Sequence, residues 1–160
     1  MKISFIQTGG TIDKDYPHRT KGWAFEIDEP ASRRILDRLD PSFHYDVHTL
    51  LKKDSLEITD QDRQGLREFC LKLTNDRIII THGTDTLLET ASFLAGIPQK
   101  TIILTGAMLP ERFTHSDAPI NLGMAIGAVQ HLPSGVYVAM HGLVKAFYQF
   151  KRDPQSGKFY

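Results

Sequence analysis

Arg77-Ile78-Ile79-Ile80-Thr81-His82-Gly83-Thr84-Asp85-Thr86-Leu87-Leu88-Glu89-Thr90-Ala91 is the stretch that decides the fold class. It opens on a β-branched run, the pattern of a strand buried on both faces. A polar, glycine-centred turn ends the run. A helix is expected over residues 86–95, with Leu87, Leu88, Ala91, Phe93 and Leu94 as its apolar positions. The pattern returns at Thr101–Thr105, a second buried strand, followed by Gly106-Ala107-Met108-Leu109-Pro110. The next helix is expected to start at Ser116 or Asp117, to carry Pro119 in its first turn and to run to His131. Its small residues, Gly123, Ala125, Gly127 and Ala128, let it lie close to a sheet. Gly135–Met140 adds one more strand.

Working outward, residues 2–7 read as a first strand, ended by Gly9-Gly10, and residues 23–27 and 45–51 as further strands. A helix is expected over residues 30–39, with Pro30 in its first turn, and another over residues 60–73. Thr59 is the candidate cap of the second, with Asp62 three residues on, a variant of the capping box. Leu66, Phe69, Cys70 and Leu73 then share one face. Strands alternating with helices, and strands rich in Ile and Val, predict an α/β fold: a Rossmann-like or flavodoxin-like, mostly parallel sheet with helices on both faces, in a single domain. There is no internal repeat, low-complexity tract or linker. Residues 152–160 are polar, contain Pro154 and Gly157, and read as a loop or a loosely held tail.

The 160 residues suit one domain, and a composition of 41% hydrophobic and 24% charged residues argues against disorder, a coiled coil or a collagen-like chain. Lys plus Arg balance Asp plus Glu at 19 each, which argues against a phosphate-tracking surface and so against a nucleic-acid partner. Cys70 is the only cysteine, so neither an intramolecular disulfide nor a cysteine zinc cage can form. The apolar start, residues 1–6, is too short for a signal-peptide core or a membrane span. A cytoplasmic protein without membrane partners is expected.

Ligands of open α/β sheets bind beyond the carboxyl ends of the strands. Three strand ends here are polar or glycine-rich: Thr8-Gly9-Gly10-Thr11-Ile12-Asp13, Thr81-His82-Gly83-Thr84-Asp85-Thr86 and Thr105-Gly106-Ala107-Met108-Leu109-Pro110. Their glycines let backbone approach a ligand, and their amides can face an anion. Two loops place a threonine straight after a glycine, a candidate nucleophile pair that needs a base or a desolvating site. Taken singly, each signal has a plainer reading. Gly-Gly after a strand marks a tight turn, and Gly83-Thr84-Asp85 before a helix is an N-cap. No phosphate-binding glycine fingerprint follows the first strand, which disfavours a nucleotide ligand.

Together these stretches resemble the N-terminal domain of the bacterial-type L-asparaginases, a family of threonine amidohydrolases. The resemblance rests on Thr8-Gly9-Gly10-Thr11-Ile12, on Thr81-His82-Gly83-Thr84-Asp85-Thr86 with Glu89-Thr90-Ala91, on Gly106-Ala107-Met108 with Pro110, and on Ser116-Asp117-Ala118-Pro119 with Asn121. It covers essentially the whole chain in the right order.

The resemblance implies L-asparagine as substrate, no metal and no cofactor, and a homodimer or higher homo-oligomer. It implies Thr11 as the nucleophile and Tyr16 as the tyrosine that helps to activate it. Thr84 would orient water or the carboxamide, Asp85 would bind the α-ammonium, and Lys151 would hydrogen-bond Thr84, with Lys145 as the fallback. Ser55 would hold the α-carboxylate, and Gly10, Gly83 and Ala107 would line the substrate. Residues 1–160 are read as one N-terminal-type domain, like the short-chain, single-domain members. The family's smaller C-terminal domain, which lends an acidic residue to a neighbouring subunit's site, is read as absent. Leu56 stands where the family often has a polar residue such as glutamine, so one substrate contact is expected to be lost. Glutamine or another short amide is the alternative substrate, and an amino-acid-binding homologue with weak or no turnover is the alternative class.

Other residues have plainer readings. His44, Asp46 and His48 share a strand face at metal-like spacing, but are read as solvent-facing side chains of an edge strand. His82 is read as a hydrogen-bonded structural histidine. Trp23 and Phe25 are read as a lid or as packing, with Phe25 assigned to the core. Lys14-Asp15 with His18-Arg19 marks a polar loop suited to a gate. Lys151-Arg152 is equally a solvated basic patch.

Overall fold

The short Ile- and Val-rich runs line up side by side at the centre of one sheet. The computed structural model describes residues 1–17 and 25–160. Its strands are β1 (Lys2–Gly9), β2 (Lys14–Asp15), β3 (Glu26–Ile27), β4 (His44–Lys53), β5 (Arg77–Thr81), β6 (Thr101–Thr105), β7 (Gly135–Met140) and β8 (Leu143–Ala146). Its α-helices are α1 (Ala31–Leu39), α2 (Asp60–Lys72), α3 (Leu87–Phe93) and α4 (Ala118–Val129). Among the described residues a six-stranded sheet runs in the order β4-β1-β5-β6-β7-β8. All neighbours are parallel except β7 and β8. β1 and β5 are in register from Ile3 opposite Arg77 to Gln7 opposite Thr81, and β5 and β6 from Arg77 opposite Thr101 to Thr81 opposite Thr105.

Strand alternation divides the core between two faces. Ile78 and Ile80 point with Ile6, Ile102 and Leu104 toward α2 and α3, while Ile79 points with Ile3, Phe5 and Ile103 toward α1 and α4. Burying one such side chain is worth about 1.5–3 kcal/mol, so the doubly covered strands carry much of the stability. α2 starts at the expected box: Asp62 N–H donates to Thr59 Oγ1 at 3.2 Å, and Thr59 N–H donates to Asp62 Oδ2 at 2.8 Å.

The parallel strands, numbered by their order in the chain, run 2-1-3-4-5. The chain goes from β1 to one side (β4) and then back to the other (β5), which places the topological switch point between the carboxyl ends of β1 and β5.

Several expectations need correction. The last parallel strand, β7, is followed by an antiparallel edge strand, β8, that was not expected; the turn between them has His141 at φ 51 and Gly142 at φ 81, the left-handed pair a two-residue hairpin favours. Residues 152–160 are not a loose tail. Arg152 and Phe159 pair as an antiparallel bridge, and Phe159 is buried against Phe150 and the α3 face. Phe25 is not a core residue: it is 38% exposed and lies between the rings of Tyr16 and Phe113, because the strand it precedes pairs with β2 outside the main sheet. Trp23, His18 and Arg19 lie outside the described residues. α3 is shorter than expected, and α4 begins at Ala118. β4 is the edge strand assumed for His44, Asp46 and His48; there Asp46 bonds Lys2 at 2.6 Å and lies 3.1 Å from His48.

Candidate active site

The glycines of the first two loops are dictated by close backbone approach. Gly10 N–H donates to the Lys53 carbonyl at 3.0 Å, and a Cβ on Gly10, whose φ is +85, would run into Cα and N of Gly83. The loops after β1 and β5 therefore touch, and Thr11 and Thr84 are the residues directly following the two contacting glycines. A Cβ on Gly83 would lie 2.7 Å from both Cβ and Oγ of Ser55. Ser55 is buried at the start of the short 3-10 helix Ser55–Glu57, which Asp54 caps by accepting from Leu56 N–H, and its carbonyl accepts from Thr86 Oγ1 at 2.7 Å. Gly106 completes the floor: a Cβ there would strike the His82 carbonyl, with Thr84 Cγ2 at 3.5 Å.

The structure thus brings Gly10, Thr11, Ser55, Gly83, Thr84 and Gly106 to the β1/β5 switch point. Thr11 and Thr84 are half-buried. Asp85 is exposed beside them, and its Oδ1 accepts from Arg152 Nη2 at 2.8 Å. Ala107 is buried among the side chains of the α4 face. Tyr16 is 65% exposed; its backbone N–H donates to Asp15 at 2.8 Å and its ring meets Phe25 at 5.3 Å. It borders an open cavity of about 490 Å³ with Leu109, Arg112, Phe113, Thr114 and His115. Lys151 is exposed, and its backbone exchanges hydrogen bonds with Tyr160. Lys145 Nζ lies 5.5 Å from the centre of the Phe150 ring.

Buried polar groups stiffen the loops from behind. His82 is fully buried, with Nδ1 against the Gly83 carbonyl and Nε2 against Thr90 Oγ1, each at 2.8 Å. Burial pushes its pKa down to about 4, so it stays neutral, which fits a structural histidine. Asp13 is fully buried; it accepts from Ala31 N–H at 2.8 Å and from Thr81 Oγ1 at 3.2 Å, tying the Thr11–Asp13 turn to α1 and β5. Burial pushes its carboxyl up to about 7. Asp117 accepts from Met108 and Leu109 N–H at 3.0–3.1 Å and so organises the third loop. Sequence reasoning assigned no role to Asp13 and offered a solvated basic patch for Arg152, which is instead paired with Asp85 and only 24% exposed. An aspartate directly after buried Ile12 is the one local hint for the first, whereas the partner of Arg152 is 67 residues away.

Among the described residues no group of three His, Cys, Asp or Glu side chains is placed to hold a metal ion. No described helix is long and apolar enough to cross a membrane.

The family model described as Asparaginase, N-terminal, matches residues 2–156. The L-asparaginase of Thermococcus kodakarensis is 33% identical over 144 residues, 87% of this chain and 44% of its own length. Its solved structure superposes with a TM-score of 0.83 at 29% identity, over 95% of this chain and 48% of that one. A glutamyl-tRNA(Gln) amidotransferase subunit of Methanococcus maripaludis is 43% identical over 148 residues, 88% of this chain and 35% of its own. A glutaminase-asparaginase of Acinetobacter glutaminasificans is 37% identical over 133 residues, 78% of this chain and 40% of its own. The chain spans less than half the length of each of these relatives.

Proposed function

The chain belongs to the asparaginase family, and on that premise we propose that it hydrolyses the side-chain amide of L-asparagine to L-aspartate and ammonia. The observation that carries the reading is the contact of the Gly10 and Gly83 loops at the switch point, with Ser55 packed on Gly83 and a threonine following each glycine.

In this proposal Thr11 Oγ adds to the carboxamide carbon, its proton passes to the Tyr16 hydroxyl as that hydroxyl hands its own proton to the amide nitrogen, and Lys151 hydrogen-bonds Thr84. The carbonyl oxygen becomes an oxyanion. Met108, Leu109 and Gly10 N–H are already engaged, which leaves other amides of the first two loops to donate, each worth about 3 kcal/mol. Collapse of the intermediate breaks the C–N bond and releases ammonia, which takes up a proton. Water, oriented by Thr84, then attacks the β-aspartyl ester and frees Thr11. Asp85 accepts from the α-ammonium and Ser55 donates to the α-carboxylate, with Gly10, Gly83 and Ala107 lining the substrate. We place the protein in the cytoplasm as a homodimer or higher homo-oligomer, acting without metal or cofactor.

Ammonia release from L-asparagine by the purified protein tests the reading. Thr11→Ala and Thr84→Ala each abolish it while leaving the fold intact; undiminished turnover in both removes the mechanism. The names of two relatives favour a second reading, hydrolysis of glutamine or of another amide. One methylene is worth about 1–3 kcal/mol in a pocket, so relative kcat/KM on asparagine and glutamine separates the two. Aspartate binding without ammonia release from any amide would instead indicate a binding homologue.

A further inference from the structure

The chain's last ten residues present a cation to Asp85. Lys151 and Tyr160 exchange backbone hydrogen bonds at 2.9 and 3.0 Å, and Asp153 N–H donates to the Lys158 carbonyl at 2.8 Å, so residues 151–160 form a tight hairpin. Its anchor, Phe159, is 1% exposed, and the Arg152 guanidinium lies 6.0 Å from the centre of that ring. Gly157, at φ +70, leaves room for the guanidinium: a Cβ there would lie 3.2 Å from both Arg152 Nη2 and Met108 Cε. The hairpin therefore packs on the third loop while Arg152 reaches the second. Arg152 Nη2 donates to Asp85 Oδ1 at 2.8 Å, and Asp85 Oδ2 makes no other bond among the described residues. Arg152 Nε is buried without a partner, although the side chain as a whole is 24% exposed.

We propose that Arg152 and Asp85 together recognise the zwitterionic end of the substrate, Asp85 taking the α-ammonium and Arg152 donating to the α-carboxylate. The inference rests on the amidohydrolase reading above and adds a substrate contact to it. An ammonium and a carboxylate on one carbon are a close pair of opposite charges, and an aspartate bonded to an arginine presents the complementary pair. A lone Asp85 favours any cationic amine, whereas the neutral pair favours an amino acid. The planar guanidinium suits a carboxylate because its donors lie in a fixed fork. The hairpin holds that fork still before substrate arrives, so little side-chain entropy is lost on binding.

Arg152→Met keeps the length and the apolar stem that packs on Phe159, and urea unfolding checks that it folds. Two amides are compared: L-asparagine, and 3-aminopropanamide, which is asparagine without its α-carboxylate. The substitution is expected to raise KM for asparagine at least tenfold, with kcat within about threefold, and not to lower kcat/KM for 3-aminopropanamide, whose ammonium a lone Asp85 still accepts. Equal losses on both amides, an unchanged KM for asparagine, or a gain in activity on asparagine that marks Arg152 as a block on Asp85 would each overturn the inference. If the wild type releases ammonia from neither amide, the amidohydrolase reading itself fails, and calorimetry with L-aspartate decides about Arg152. Binding weakened at least tenfold by Arg152→Met sustains the proposed contact; equal binding by both proteins, or none by the wild type, overturns it.

Discussion

Ser55 Oγ stands where the first side-chain atom of any larger residue at position 83 would go, 2.7 Å from a Cβ built on Gly83. Ser55 belongs to the 3-10 turn after β4 and Gly83 to the loop after β5, so this contact fixes one strand end against another across β1. Gly83→Ala is expected to cost about 1–3 kcal/mol by overpacking and to lower kcat/KM on asparagine at least tenfold by displacing Ser55 from the substrate. Adding Ser55→Gly relieves the clash and restores stability but not activity. Urea unfolding and ammonia release on the three variants read both effects, and a fully active Gly83→Ala protein would contradict the placement of Ser55.

Asp13 and His82 give stability opposite pH dependences. Burial raises Asp13 from 3.8 to about 7, so between those values the folded chain keeps a proton the unfolded chain has released. Its contribution is whole below the lower value and is lost as pH rises to the upper. Burial lowers His82 from 6.5 to about 4, so there the unfolded chain binds a proton the folded chain does not. That contribution is whole above 6.5 and is lost as pH falls toward 4. The shifts are worth about 4 kcal/mol for Asp13 and about 3 kcal/mol for His82. Across about pH 4 to 6.5 the two slopes oppose one another, so with rising pH the unfolding free energy should climb relative to the wild type in Asp13→Asn and fall relative to it in His82→Gln. Profiles parallel to the wild type would refute these assignments.

Phe159→Ala removes a buried ring that holds the terminal hairpin to the α3 face, and is expected to destabilise the fold by about 3–5 kcal/mol. It also frees Arg152, so KM for asparagine rises in the same variant. A thermal midpoint equal to the wild type's would mean that the segment is the loose tail its polarity suggests.

Thr59→Ala deletes the Oγ1 that caps α2 and is expected to cost about 1 kcal/mol with kcat/KM unchanged. Asp62, the other half of the cap, is held separately by Lys53 Nζ at 2.8 and 3.0 Å, so the start of α2 keeps its place without the hydroxyl. Differential scanning calorimetry measures the loss, and a large change in turnover would show coupling between the cap and the site.

Local signals were the legible ones. The bounds of β5, β6 and β7 follow from β-branched runs closed by glycine or polar residues, and the start of α2 from Thr59 with Asp62. The three glycine-rich loops were legible for the same reason, since a strand end and a helix start flank the second and third. β8 was missed because its four residues carry little periodicity, although the His141-Gly142 turn before it was a usable sign. Phe25 and Phe159 were misjudged in opposite directions, because the fate of an aromatic ring depends on what distant backbone lies beneath it.

By itself the sequence determined the parallel α/β sheet and which loops crown it, because strand and helix periods, caps and glycine turns are written within a few neighbouring residues. Only the tertiary structure decided that Gly10 touches Gly83, that Ser55 packs on that contact, and that Arg152 pairs with Asp85. Those relationships join residues far apart along the chain. They exist because two strands that are not consecutive in the chain lie side by side, bringing their carboxyl ends to one place.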